Sequence, residues 1–327
     1  MRTTAITVLK IVISVGLIAW TFSRVPLAEV GSQLASARPG YLLAALLVFV
    51  LAMIVNGAKW HVLLRAQGVV IPFARLLEFQ FIGFFFNNFL PSANLGGDVM
   101  RGYGLARLTD RPADAAISVL VDRIVGFLAY MSSAAIAGII AVNLVGRQDL
   151  RQMEGVALLA ALASALVLAM LLSRRLRALI TRLFGWRPLA PLARTWGHVS
   201  QALDAYRFRL QAVGIAFGIA VLGLLCTALV NWLVSQAMGG QMPLLAIFLF
   251  NPLIALVMTL PISIGGLGVS QAAYPFFYVP IGVSADHALA VSLLMQLTQL
   301  LASLPGGLFW LRTRRATRAS GPSVSGI

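Results

Sequence analysis

The chain has 327 residues, 60% of them hydrophobic and only 11% charged, with a mean hydropathy of +0.90 and a formal net charge of +15. Several apolar runs approach or exceed the roughly 20 residues that span a bilayer, which excludes an ordinary soluble domain and points to a polytopic membrane protein. Nucleic-acid binding, the usual reading of so basic a chain, is excluded by where the charges fall: they flank apolar runs and do not interleave with aromatics.

In chain order, the first apolar run, Ile6 to Phe22, follows Arg2 as a signal peptide would. The small-residue "ASA" at Ala35 to Ala37 lies too far beyond it for cleavage, so a retained helix is expected. Further spans are predicted at about 40 to 63, 115 to 142, 155 to 172, 210 to 235 and 284 to 311. Two shorter runs, at about 76 to 90 and 244 to 260, end at Pro91 and Pro261. Each is expected to enter a re-entrant hairpin that turns at a Pro/Gly break and leaves by the side it entered. Six full spans then put both termini on one side. With them fall Arg2, Lys10, Lys59, Arg65, Arg75, Arg101, Arg107, Arg111, the eight arginines from Arg174 to Arg209 and the tail "RTRRATR". Only Arg24, Arg38, Arg147 and Arg151 fall opposite. The positive-inside rule makes the first side cytoplasmic, and the expected location is the bacterial cytoplasmic (inner) membrane. Between Leu172 and Leu210 two amphipathic helices are predicted to lie on the anionic inner surface. Leu172, Leu176, Leu179, Ile180 and Leu183 form one apolar face, and Leu192, Trp196, Val199, Leu203 and Tyr206 the other.

"LPSANLGG" begins at Leu90 and "LPISIGG" at Leu260, an offset of 170 residues shared by the spans near 40 and 210 and those near 128 and 298. Each half reads span, span, hairpin, span, and the halves start from opposite sides. The expected fold class is thus an all-α polytopic membrane protein of six spans and two re-entrant hairpins in an inverted-topology repeat. Paired Gly/Pro-interrupted segments in such a repeat meet at a transporter's binding site. The halves are 1–154 and 155–311, the second including the amphipathic stretch 173–209, and 312–327 is expected to be a basic, disordered cytoplasmic tail. In the last span Ser292, Gln296, Gln299 and Ser303 share one helical face. Shifted back by the same offset, that face becomes Asp122, Gly126, Ala129 and Ser133. Both stripes are read as walls of a cavity.

Other chemistry is thinly supported. Cys226, the only cysteine, sits in an apolar run, and His61, His198 and His287 show no metal spacing and are expected at the surface. No cofactor or nucleotide-binding motif is present, so active transport would draw on a gradient, a lipid sink or a partner. A membrane enzyme of lipid or polyprenyl-linked glycan synthesis would want clustered carboxylates or a nucleophile with its base. The outer loops offer only the scattered Glu29, Asp149 and Glu154, and the chain is expected not to be an enzyme. A scaffold for a lipid-modifying enzyme remains the other alternative.

Taken together, "NNFLPSANLGGDVMRGYGL", "AAISVLVDRIVGF" and "LPISIGGLGVSQAA" resemble the lysylphosphatidylglycerol synthetase transmembrane-region family, the flippase part of multiple peptide resistance factors and of stand-alone membrane proteins. The resemblance covers nearly the whole chain. It implies movement of an anionic phospholipid, a modified lipid or a lipid-linked precursor between leaflets, with the lipid as partner and a lipid-modifying enzyme as a second candidate partner. The family's first motif corresponds to Asn88, Gly96, Gly97, Asp98 and Arg101, and its Asp-Arg pair to Asp122 and Arg123. The Gly-Gly-Leu-Gly of its second motif is Gly265, Gly266, Leu267 and Gly268, and Gln271 stands where the family usually has an acid. Only "RTRRATRASGPSVSGI" follows the last run, so no soluble aminoacyl-transferring domain is expected.

Read residue by residue, Arg101 offers phosphate a planar fork and is either a headgroup ligand or a positive-inside anchor. Asp98, three residues earlier, shares its helical face. Asp122 and Arg123 diverge by about 100° on a helix. Each therefore needs a partner elsewhere: Arg123 is expected to meet Asp98, and Asp122 to meet Arg101, as a functional site or as a structural network. Asn87, Asn88, Ser92 and Asn94 are candidates to satisfy broken backbone or to bind headgroup oxygens. Ser263, Ser270 and Gln271 are their neutral counterparts, and Gln296 and Gln299 complete the substrate-binding set. Asn56 and Lys59 are read as snorkelling or positive-inside residues rather than ligands.

Overall fold

The computed structural model describes residues 31–32, 34–89, 96–145, 173–184, 190–259 and 266–319, with short stretches between 158 and 170. Among these residues the structure is helical, without strands. The elements are α1 (Pro39–Ala66), α2 (Phe73–Phe89), α3 (Gly96–Ala106), α4 (Pro112–Val145), α5 (Arg174–Phe184), α6 (Ala190–Tyr206), α7 (Leu210–Ala237), α8 (Leu244–Thr259), α9 (Val269–Tyr278) and α10 (Ala285–Ala319), with a 3-10 turn at Val279–Ile281. Among the described residues four helices are long and apolar enough to cross a membrane, at Pro39–Ala66, Pro112–Ile136, Leu210–Ala237 and Ala285–Thr313. At 1.5 Å per residue the 28 residues of α1 reach about 42 Å, longer than the roughly 30 Å hydrocarbon core. The predicted span at 6–22 lies outside the described residues, and that at 155–172 is described only in part.

α1 and α7 carry apolar residues on all faces, as membrane helices do, and their ends are set by local chemistry. Pro39 opens α1 after an extended Arg38, because the first turn needs no N–H from proline. Both helices stop in the same way. Gly68 (φ 76°) and Gly239 (φ 98°) take the left-handed conformation, and the amides that follow, Val69 and Gly240, bond back to the carbonyls of Leu64 and Ser235.

The two run antiparallel. The Arg38 amide donates to the Ala237 carbonyl (2.9 Å) at one end, and Arg209 donates to Gln67 (2.6 Å) at the other. The end of α1 also meets the start of α4, where Arg111 donates to the Gln67 carbonyl (2.9 Å), so α2 and α3 form a hairpin that returns to its origin. At the opposite end of the bundle α7 meets the start of α10: Ser235 bonds His287 (3.0 Å) and Ser284 bonds Gln241 (2.9 Å). The packing is paired as well. α1 packs on α2, α4 and α10 as α7 packs on α8, α10 and α4, and α2 packs on α3 and α10 as α8 packs on α9 and α4.

Three expectations are corrected. α10 continues to Ala319, so 312–319 is helical rather than disordered; "RTRRATRA" consists largely of good helix formers. α5 and α6 do not merely lie on a surface. Leu203 and Tyr206 are buried with Leu63, Val121 and Val213. The Tyr206 hydroxyl donates to the Leu63 carbonyl (2.9 Å), burial pushes its pKa up, and buried Arg177 pairs with Asp204 (2.5 Å). His287 is fully buried, not superficial, because Ser235 supplies its polar partner.

Candidate functional site

α3 and α4 bring the motif residues together. Arg101 donates through Nη2 to Asp122 (2.8 Å) and through Nη1 to the Gln80 carboxamide (2.9 Å), and its Nε lies 3.0 Å from Asp98. Arg123 pairs with the same Asp98, and Lys59 of α1 lies 3.1 Å from Asp122. The contacts of Arg101 Nε and Lys59 are ion pairs by distance, without hydrogen-bond alignment at Arg101 Nε or Asp122 Oδ1. Both crossed pairs expected from the 100° divergence are therefore formed, and they tie the hairpin to α4. The chain of contacts runs Lys59, Asp122, Arg101, Asp98, Arg123: among the described residues, three cations on two carboxylates, an excess of one positive charge.

Close backbone approach makes this possible. A Cβ on Gly97 would stand 1.8 Å from the Gly83 carbonyl oxygen, so α2 and α3 cross at a glycine contact that a larger residue would force apart. The Gly97 amide donates to Asn87 Oδ1 (2.8 Å), which bridges the break at 90–95. Gly126 leaves room for the Lys59 ammonium, 3.3 Å from where its Cβ would be.

Burial grades along the chain. Arg101 and Asp122 are each 5% exposed and Lys59 6%, whereas the Arg123 side chain is 39% exposed. Arg101 also lies over the Trp60 ring, 4.8 Å from its centroid. So the guanidinium expected to be the first phosphate ligand sits at the centre of the network, and Arg123 is its most exposed cation. Lys59 is a member of the network rather than a snorkelling residue, because Asp122 reaches it across Gly126. It stands seven residues, about 10 Å, inside the end of α1.

A neutral cluster occupies the corresponding place in the second half. Asn231 of α7 donates to Asn251 of α8 (3.0 Å) and accepts from the Tyr274 hydroxyl of α9. The first half assembles Trp60, Gln80 and Arg101 from α1, α2 and α3. The positions differ by 171, 171 and 173 residues, close to the offset of the sequence breaks.

Two adjoining cavities lie between these clusters. The smaller, about 170 Å3, is lined by the five charged residues with Gln80, Asn87, Gly126 and Tyr130. The larger, about 310 Å3, shares Gln80, Phe84, Asn87, Arg123 and Tyr130 with it and extends to Asn56, Asn88, Asn231, Asn251, Gly266, Ser270, Ser292, Gln296 and Gln299. Residues flanking both breaks therefore face one space. Ser92, Asn94, Ser263 and Gly265 lie outside the described residues.

Other predicted residues fall differently. Gly96 opens α3, and Gly268 (φ 81°) precedes α9. Gln271 turns to the backbone, its Oε1 accepting from the Gly268 amide (2.7 Å), a capping role. Ser303 bonds the Leu300 carbonyl, and Ala129 packs with Ala220 and Leu224, so each polar stripe reaches the cavity over only part of its length. Asn56, Gln80, Tyr130, Thr227, Asn231, Asn251 and Tyr274 were missed as wall residues. Their signal was one polar group inside an apolar run, as in "LVNWLV" and "LFNPLI".

A family model described as the lysylphosphatidylglycerol synthase TM region matches residues 7–306. The chain belongs to that family. It is 20% identical to a UPF0104 membrane protein of Pyrococcus horikoshii over 303 residues, 84% of this chain and 88% of the relative. It is 24% identical to one of Methanothermobacter thermautotrophicus over 287 residues, 82% and 84% of the two chains. It is also 29% identical to one of Methanocaldococcus jannaschii over 92 residues, about a quarter of each. In this member of the family the motif glycines set the helix crossing, and the motif charges form a shared network beside the cavities.

Proposed function

We propose that the protein moves an anionic phospholipid, a modified lipid or a lipid-linked precursor between leaflets. The observation that carries this reading is the polar cavity faced by residues flanking both chain breaks and bordered by a buried network that holds, among the described residues, three cations and two carboxylates. Polar groups at membrane depth are costly unless paired or wetted, and here they line a space that admits both water and a headgroup. The phosphate meets Arg123, the exposed end of the network, and makes the five-residue cluster neutral while the lipid tails stay in the bilayer. Arg101 and Lys59 hold the two carboxylates in place. The matched packing of α1–α4 and α7–α10, with hairpin mouths at opposite ends of the bundle, supports an inverted repeat in which the halves open the cavity alternately. The Gln67, Arg111 and Arg209 end faces the cytoplasm on this reading, with both termini.

The test is reconstitution in phosphatidylcholine liposomes carrying a trace of tail-labelled phosphatidylglycerol, with dithionite quenching of the outer leaflet. The protein should raise the quenched fraction from about half toward completion. Arg123→Gln should slow movement roughly ten- to a hundredfold, the worth of one charge-assisted contact of about 1.5–3 kcal/mol. Quenching no faster than in protein-free vesicles overturns the proposal.

A further inference from the structure

We infer that the larger cavity selects an uncharged polyhydroxyl headgroup, one sugar or polyol in size, carried on a phosphodiester lipid, and rejects a cationic aminoacyl headgroup. This rests on the transport reading and names its substrate class.

Eight carboxamides stand among the apolar and polar residues that line the cavity. Asn56, Asn231, Asn251, Gln296 and Gln299 come from four different helices and surround the space. A carboxamide donates and accepts, and so does a hydroxyl, whereas an alkylammonium only donates. Asn231 and Asn251 spend most of this capacity on each other, on Tyr274 and on backbone carbonyls, and Asn56 gives an amide hydrogen to Ala52, so the match to a group that both donates and accepts rests on Gln299 and the remaining capacity of Asn56. Among the described residues no carboxylate lines this cavity. The nearest two, Asp98 and Asp122, are held by three cations, and one of those, Arg123, lines the cavity itself. An ammonium placed here would lack a counter-ion and would face like charge. Four aromatic residues line the cavity: Phe84 and Tyr130 lie on the wall that Arg123 shares, Phe49 packs on Phe84 (5.7 Å between centroids), and Tyr274 is bonded to Asn231.

Ser270 supplies an independent observation. It is 6% exposed, it lines the cavity, and its hydroxyl has no hydrogen-bond partner among the described residues. A buried hydroxyl left unpaired is costly, so a ligand group that both donates and accepts is the fitting complement. Size is in keeping with the class. At about 30 Å3 per water-sized group, the 310 Å3 of space holds about ten such groups, enough for one monosaccharide or cyclic polyol.

The experiment uses the full-length protein in phosphatidylcholine liposomes with three tail-labelled probes: phosphatidylinositol, phosphatidic acid and lysyl-phosphatidylglycerol. These present a polyol on a phosphodiester, a bare phosphate and a cation. Phosphatidylinositol should move at least tenfold faster than either of the others. Gln299→Leu and Ser270→Ala should each lower the ratio of phosphatidylinositol to phosphatidic acid rates at least fivefold, read within one vesicle preparation so that protein yield cancels. Equal rates for all three probes, a preference for the lysyl lipid, or a ratio unchanged in both variants overturns the headgroup inference and leaves transport standing. No movement of any probe overturns the transport reading itself.

Discussion

Arg101 is the residue on which the charge count turns. With it, three cations share two carboxylates; without it, Lys59–Asp122 and Arg123–Asp98 remain as two closed pairs. Arg101→Met, which keeps much of the stem volume over Trp60, should therefore fold while losing the spare charge that draws in an anion. Asp122→Asn does the reverse, leaving Lys59 and Arg101 buried together with only Asp98 to offset them. Removing one partner from a buried pair costs about 3–5 kcal/mol. Thermal unfolding in detergent should thus place Asp122→Asn well below Arg101→Met in stability, although Arg101→Met is the less active in lipid movement. The opposite order of stability would mean that Arg101 is chiefly a structural pin. The crossed pairing was legible in the sequence, because ionisable residues in apolar runs are few and adjacent ones on a helix diverge. Lys59 was not. A lysine near a span end ordinarily snorkels, and only the approach of α4 across Gly126 shows that this one turns inward.

At the scale of the element, the hairpin of α2 and α3 depends on how near two backbones can come. Gly97 has no room for a methyl group, since the Gly83 carbonyl occupies its place, whereas a methyl on Gly102 would make an ordinary 3.6 Å contact with Val119. Gly97→Ala should displace α3, break the Asn87 bridge and uncouple Asp98 and Arg101 from α4, so that monodisperse protein is lost on size-exclusion chromatography. Gly102→Ala, in the same helix, should be tolerated within about 1 kcal/mol and is favoured by helix propensity. Equal behaviour of the two variants would remove the glycine crossing as the organising contact. Sequence reading found the breaks and most helix positions, because hydropathy and Pro/Gly punctuation are local signals. It misjudged α6, whose amphipathic face was visible but whose cover, Leu63, Val121 and Val213, belongs to helices far away in the chain. It also ended α10 early, since a basic tail and a basic helical extension share one composition.

For the whole molecule, the decisive relation is the antiparallel course of α1 and α7. Gln67, Arg111 and Arg209 meet at one end of the bundle, and Arg38, Ala237, Gln241 and Ser284 at the other. Each hairpin opens at the end where its preceding long helix stops, so the first opens with Gln67 and the second with Gln241. The proposed repeat is marked in the sequence by an offset between two short motifs. Side chains add little to that sign, because Asn231 stands opposite Trp60 and Tyr274 opposite Arg101, and of the three pairs only the carboxamides Gln80 and Asn251 match. If the halves are inverted across a bilayer, surface positions at the two ends must label from opposite faces. In a Cys226→Ala background, Arg38→Cys and Gln241→Cys should react with an impermeant maleimide in intact cells, and Arg75→Cys and Arg107→Cys only after the membrane is opened. Reaction of all four from one face would place both hairpin mouths on the same side. The exchange of α1–α4 with α7–α10 would then relate halves of like orientation, and alternate opening of the cavity would lose its structural basis.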